Sequence, residues 1–132
     1  MTAVLVDTTV LIDILRGRPR TVERLWRLRA RGDRPVACAI NVEEIERGLR
    51  GERETEVARR LFDGVEIVDL DRRAGVRAGA WRRAFAARGV TLSQADCLIA
   101  AAAFAVGGRL VTGNPTDFPM PEISVEHWPS GE

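Results

Sequence analysis

The sequence predicts an α/β fold, a three-layer α/β/α sandwich built on a mainly parallel sheet of about five strands. Two observations lead to this prediction. Short apolar runs of the kind that form buried strands alternate with longer segments of helical periodicity. A helix between two strands returns the chain across the sheet, so successive strands run parallel. Since 132 residues suffice for one hydrophobic core and not for two ordinary domains, we expect a single domain over residues 1–132.

The predicted strands are short and apolar, as strands are when helices cover both faces of a parallel sheet. They are Val4–Val6, Val36–Ile40, Val65–Val68, Arg109–Thr112 and Ile123–Val125. The predicted helices are Thr9–Leu15, Arg20–Arg31, Val42–Arg50, Glu54–Phe62, Arg73–Arg88 and Gln94–Val106. The last of these is apolar almost all round, which predicts a central helix packed against the sheet. The terminal segment Trp128–Glu132 is expected to be a loosely held tail.

Composition excludes several classes of protein. The chain has no run of 18 apolar residues, and its first residues lack the charged start and long apolar stretch of a signal peptide. We therefore expect a soluble, cytoplasmic protein that does not enter a membrane. Its two cysteines, Cys38 and Cys97, lack the spacing of metal ligands, and in a cytosolic chain they are expected to be buried thiols.

The charges form blocks, although the net charge is only +1. The stretches 16–34 and 72–88 each carry a net charge of +6, whereas residues 41–71 carry −5. Such blocks are explained by charged residues on solvent-exposed helix faces. Arginines on either side of an acidic site could also bind the phosphates of a nucleic acid. The chain has no lysine, so every side-chain cation apart from histidine is a guanidinium that can bind phosphate through two parallel hydrogen bonds.

Three junctions share one local pattern, in which a helix-capping residue precedes an acid by three positions. The pairs are Asn41 with Glu44, Ser93 with Asp96, and Asn114 with Asp117. Taken singly, each acid is also explained as a carboxylate that caps a helix or interacts favourably with its dipole. Asp7, which follows the first strand, is equally placed to open the next helix.

Taken together, the four acids predict a metal site. Asp7, Glu44 and Asp117 each follow a predicted strand and so emerge at the carboxyl edge of a parallel sheet, where ligands bind in such folds. Asp96 can join them from the central helix. Four carboxylates in one place repel one another unless a cation neutralises them. An all-oxygen set favours Mg²⁺ or Mn²⁺ over zinc.

Polar neighbours of these acids are candidates to hold them in place by hydrogen bonds. They are Thr8, Thr9, Asn41, Thr112 and Asn114. Helix capping explains the same residues equally well at this point. Asp13, further along the first helix, is expected to lie outside the site, and His127 is expected to be a surface residue.

Four segments carry a resemblance to a known family. They are VLVDTTVLID at Val4–Asp13, EIERG at Glu44–Gly48, QADCLIAA at Gln94–Ala101 and LVTGNPTDF at Leu110–Phe118. In this order and at these separations, they resemble the PIN-domain family, and specifically the VapC-type toxins of type II toxin–antitoxin pairs. The resemblance covers nearly the whole chain.

The resemblance implies a PIN-like α/β/α sandwich whose acidic pocket holds Mg²⁺ or Mn²⁺ and hydrolyses RNA as an endoribonuclease. Asp7, Glu44, Asp96 and Asp117 match the four acids of the family, with Asp7 and Asp96 as direct metal ligands. A cognate antitoxin and a homodimer are the implied protein partners. This chain departs from the family pattern at Gly113, where arginine is frequent, and at Cys38 and Asn41, where small hydroxyl residues are common.

Two other functions are weighed against the nuclease. A phosphoacceptor domain of the receiver type also gathers acids at strand ends. Families that resemble such domains need an active-site lysine, and this chain has no lysine. The remaining alternative is a non-catalytic RNA- or protein-binding module that retains the same fold. The presence of all four mutually repelling acids argues against that module.

Overall fold

The computed structural model describes residues 2–132. Five strands are present, β1 (Ala3–Val6), β2 (Arg34–Cys38), β3 (Glu66–Val68), β4 (Arg109–Thr112) and β5 (Ser124–His127). The helices are α1 (Thr8–Leu15), α2 (Pro19–Ala30), α3 (Ala39–Gly48), α4 (Gly51–Asp63), α5 (Arg72–Ala86) and α6 (Gln94–Ala105), with a 3₁₀ turn at Pro115–Asp117. The alternation of short strands and longer helices is the one that the sequence predicts.

The strands form one sheet in the order β3-β2-β1-β4-β5, and every neighbouring pair is parallel. β1 is the central strand, with Leu5 in register with Val36 of β2 and Leu110 of β4. This arrangement confirms the predicted α/β class. It also brings the carboxyl ends of β1, β2 and β4 to the same edge.

Both faces of the sheet are buried, which explains why its central strands are apolar at successive positions. Val4 and Val6 face a core shared with α1, α2 and α4, while Leu5 faces a second core shared with α5 and α6. Helix α6 is the predicted central helix, because Cys97, Ile99 and the four alanines at 100–103 are all buried in the second core. The two helical layers and the sheet make the predicted α/β/α sandwich.

The boundary between β2 and α3 differs from the prediction. The strand ends at Cys38, and Ala39 and Ile40 already belong to the helix. Asn41 is therefore not the capping residue before the helix but part of its first turn. Its side-chain Oδ1 accepts a hydrogen bond from the Cys38 backbone N–H at 2.9 Å, so Cys38 takes the capping position. An apolar pair at a strand end fits either element, and here the helix extends over it.

The predicted loose tail is wrong, because the last residues dock against α1 and α2. Trp128 is only 4% exposed and lies in the core on the α1 side of the sheet. The Gly131 N–H donates to Asp13 Oδ2 at 2.9 Å. Glu132 accepts a hydrogen bond from the Arg20 backbone N–H at its carbonyl and pairs with Arg24 through its side chain. Asp13 therefore has a structural contact away from the four acids.

Cys38 and Cys97 are both free and buried, as predicted. Within residues 2–132, none of the helices combines the length and the apolar character that a bilayer crossing requires.

Replacing Asp13 by alanine is expected to lower the free energy of unfolding by about 0.5–1.5 kcal/mol, because the Gly131 N–H loses its protein acceptor. Asp13→Asn keeps an acceptor oxygen and should lose much less. Urea denaturation of both variants, with hydrogen exchange at the Gly131 amide, measures the effect. Equal stability of Asp13→Ala and the wild type, with unchanged exchange at Gly131, would show that this contact does not hold the tail.

Candidate active site

Asp7 occupies the end of the central strand and is almost completely buried, at 5% exposure. Its backbone carbonyl accepts hydrogen bonds from Val10 and Leu11, which places the residue at the start of α1. Its side-chain Oδ2 accepts from Thr112 Oγ1 at 2.7 Å and from Thr9 Oγ1 at 3.2 Å. Thr112 ends the adjacent strand β4. The carboxylate is thus held by hydroxyl groups from two elements that meet at the carboxyl edge of the sheet.

Glu44 projects from α3 and is held by a chain of hydrogen bonds that begins at β2. Asn41 Nδ2 donates to Thr8 Oγ1 at 3.0 Å, and Thr8 Oγ1 donates to Glu44 Oε1 at 2.6 Å. Since Asn41 also accepts from the Cys38 N–H, the chain connects β2, α3 and α1. Thr8 therefore contacts Glu44 directly, and Asn41 contacts Thr8, as expected for residues that support this acid.

Asp96 lies in the first turn of the central helix α6 and is half-buried. Ser93 caps this helix as the sequence predicts, because its side chain accepts from the Asp96 N–H at 3.0 Å. Burial raises the pKa of the Asp96 carboxyl above its ordinary value of 3.8, and the negative charges of Asp117, Asp7 and Glu44 raise it further. Asp96 is therefore close enough to the other three predicted acids for their charges to affect it.

The segment after β4 carries the fourth candidate acid. Asp117 is exposed and lies in the 3₁₀ turn that Asn114 precedes. Asn114 contributes through its backbone N–H, which donates to Thr112 Oγ1 at 3.0 Å, and its side chain makes no capping bond. Thr112 is thus fixed by Asn114 while it donates to Asp7. The predicted support from Asn114 comes from the backbone instead of the side chain.

Gly113 explains one departure from the family pattern. Its N–H donates to Thr9 Oγ1 at 2.9 Å, and a Cβ at this position would collide with Ser130 of the docked tail. A side chain at this position would therefore require at least the Ser130 hydroxyl to move away. The approach of Ser130 is a long-range feature that no local sequence pattern reveals.

Sequence reasoning missed Arg47, which lies beside the site. Its Nη2 atom is 3.9 Å from Glu44 Oε2 and 3.7 Å from Glu43 Oε1. The three-residue spacing between Glu44 and Arg47 on one helix was the signal available, because residues three apart are neighbours on a helix surface.

The electrostatics of Asp7 follow from its position. Burial raises the pKa of the Asp7 carboxyl above its ordinary value of 3.8, and the hydrogen bond from Thr112 offsets part of this rise. The negative charge of Glu44 adds to it. Ionisation of Asp7 and Asp96 is therefore less favourable than in water, and a nearby cation would offset this cost.

The donor set suits a magnesium or manganese ion chemically. It contains carboxylate oxygens, and both cysteines are buried in structural positions. Among residues 2–132, no three acidic, histidine or cysteine side chains stand close enough together to hold an ion between them. Mg²⁺ is commonly bound through one or two carboxylates while it keeps several waters, so a complete protein cage is not required.

Comparison with known proteins gives consistent results. Residues 4–119 of this chain match the sequence model of the PIN domain family, and this segment contains all four acids. Ribonuclease VapC19 of Mycobacterium tuberculosis is 34% identical over 122 residues, which cover 88% of this chain and 92% of that protein. The tRNA(fMet)-specific endonuclease VapC of Salmonella typhimurium is 26% identical over 129 residues, which cover 94% of this chain and 96% of that protein. The crystal structure of DNA-bound VapBC from Salmonella typhimurium matches with a TM-score of 0.80 and 27% identity, covering 97% of this chain and 99% of that chain.

The Asp7→Asn variant is expected to be more stable than the wild type at neutral pH in EDTA. Because burial raises the pKa of Asp7, the folded state favours the protonated carboxyl, and the ionised form costs stability above the raised pKa. This cost disappears as the pH falls towards and below 3.8, so the difference between the proteins should shrink on acidification. Thermal denaturation as a function of pH measures it. A wild type more stable than Asp7→Asn at neutral pH in EDTA would contradict this account.

Proposed function

The chain belongs to the PIN domain family, and we propose that it is the toxin of a type II toxin–antitoxin pair, an Mg²⁺- or Mn²⁺-dependent endoribonuclease. One observation carries the proposal. Hydroxyl groups hold the carboxylates of Asp7 and Glu44 at the carboxyl edge of the sheet, and the charges of both acids and of Asp117 contribute to the raised pKa of Asp96. The two curated relatives, which match along most of their length, are named as an endonuclease and a ribonuclease.

The proposed metal ligands are Asp7 and Asp96, with Glu44 and Asp117 completing or orienting the coordination shell. Nucleases of the PIN domain are generally dependent on divalent metal. When bound, the ion stabilises charge on the phosphodiester and lowers the pKa of a coordinated water, so no histidine is needed.

Three threonine hydroxyl groups orient the carboxylates of Asp7 and Glu44. Thr112 and Thr9 both donate to Asp7 Oδ2, and Thr8 donates to Glu44 Oε1. Loss of a group that orients a metal ligand in this way typically costs about 10–100-fold in metal affinity or activity. The buried, hydrogen-bonded position of Asp7 also gives it a fixed geometry before any ion arrives.

The partners follow from the same proposal. The substrate is RNA, whose phosphates the arginine blocks would contact, and the protein partners are a cognate antitoxin and a second copy of this chain. The similarity to a VapBC structure supports the antitoxin. A cytoplasmic location is proposed on the same basis. The alternative of a non-catalytic binding module predicts RNA or protein binding without cleavage.

The proposal is tested by incubating purified protein with total cellular RNA and Mg²⁺ or Mn²⁺. Discrete fragments are expected with metal and not with EDTA. Asp96→Asn should lower the cleavage rate more than about 100-fold, since removing a proposed ligand should cost at least as much as removing a group that only orients one.

The matched control is Asp63→Asn, which removes an exposed carboxylate at the end of α4 and should cleave like the wild type. Full activity of the Asp96→Asn variant would contradict the metal-site assignment. Intact RNA under all conditions, together with RNA binding by the wild type, would favour the non-catalytic module.

A further inference from the structure

Arg47 is the arginine that stands next to the acidic site. Within residues 2–132, its contact with Glu44 is the ion pair that involves one of the four acids. Glu44 Oε1 is occupied by Thr8, and Oε2 lies 3.9 Å from Arg47 Nη2. A guanidinium therefore lies beside one of the four carboxylates, on the same helix as Glu44.

The ion pairs of Arg47 are loose compared with others in the protein. Its two contacts measure 3.7 and 3.9 Å, and its side chain is 68% exposed. By contrast, Arg59 binds both oxygens of Glu46 at 2.8 and 2.9 Å, and Arg60 binds Glu56 at 2.7 Å. Exposed ion pairs at such long distances contribute little to stability. Arg47 can thus turn from its carboxylates to another anion at small cost.

The surroundings leave space for such an anion. The Arg47 side chain is largely exposed, and a Cβ at Gly48 would meet no atom within 4 Å apart from its chain neighbours and the backbone of its own helix. The helix itself is fixed, because Asn41 ties its first turn to β2 and to Thr8. Arg47 is therefore an exposed, weakly paired guanidinium on a well-anchored helix.

We propose that Arg47 binds a phosphate of the RNA strand at the edge of the acidic site, an inference that rests on the proposed ribonuclease function. The four carboxylates repel the phosphates of an approaching RNA, and a guanidinium at this edge offsets that repulsion through two parallel hydrogen bonds. A contact of this kind positions the strand without reading its sequence. It strengthens ground-state and transition-state binding equally, so its removal raises KM and leaves kcat unchanged.

The test compares Arg47→Ala and Arg47→Lys with the control Arg60→Ala. Arg60 is also an exposed helical arginine in an i,i+4 ion pair, but its partner Glu56 is not one of the four acids. Binding of a short, fluorescein-labelled single-stranded RNA of mixed sequence is measured by anisotropy at several salt concentrations. The Asp96→Asn background is used so that cleavage does not interfere. Cleavage kinetics are measured with intact Asp96.

Arg47→Ala is expected to weaken RNA binding about tenfold and to reduce the slope of log affinity against log salt by about 0.7, the value for one phosphate contact on a single strand. KM should rise by a similar factor with kcat unchanged. Arg47→Lys should restore the salt slope, because it keeps the charge, but only part of the affinity. Arg60→Ala should behave like the parent protein.

Three results would overturn the inference. Wild-type RNA binding in Arg47→Ala would exclude the phosphate contact, and a fall in kcat alone would mean that Arg47 only positions Glu44. Equal losses in Arg47→Ala and Arg60→Ala would indicate a nonspecific charge effect. The proposed ribonuclease function fails separately, when the protein with intact Asp96 and Arg47 cuts no RNA with metal. A protein that cuts RNA while Arg47→Ala binds normally removes only the role of Arg47.

Discussion

The burial of Asp7 at the end of the central strand is the constraint on which the site depends. A buried carboxylate is costly unless hydrogen bonds satisfy it, and the main side-chain donor, Thr112, comes from the neighbouring strand. Parallel pairing of β1 with β4 places Thr112 beside Asp7, because the Asp7 N–H donates to the carbonyl of Val111, the residue before Thr112. The register of two strands therefore fixes the geometry of one carboxylate.

The rest of the structure supports this arrangement from both sides. On one side, Asn41 and Thr8 connect the first turn of α3 to α1 and hold Glu44. On the other, the docked tail packs against the loop at Gly113, whose N–H donates to the same Thr9 that contacts Asp7. Secondary elements far apart in sequence thus converge on hydroxyl groups that orient acids. The unfavourable charge that remains is the reason for expecting a cation.

The sequence predicted the parts that depend on periodicity and topology. The apolar run Val4–Val6 and the apolar helix at 94–106 located the central strand and helix, and parallel connections implied that the acids share an edge. It did not predict features that depend on particular contacts. Asn41 has a residue type that usually precedes a helix, and only tertiary structure shows that it bonds back from inside the first turn. The tail is anchored to Asp13, 118 positions away, which local patterns do not reveal.

The most direct test of the account is anomalous X-ray diffraction from a crystal of the wild-type protein soaked in Mn²⁺. We expect a manganese peak at the carboxyl edge of the sheet, bound directly by Asp7 and Asp96. Manganese bound only elsewhere, or no peak at saturating Mn²⁺, would contradict the claim that these acids form a metal centre.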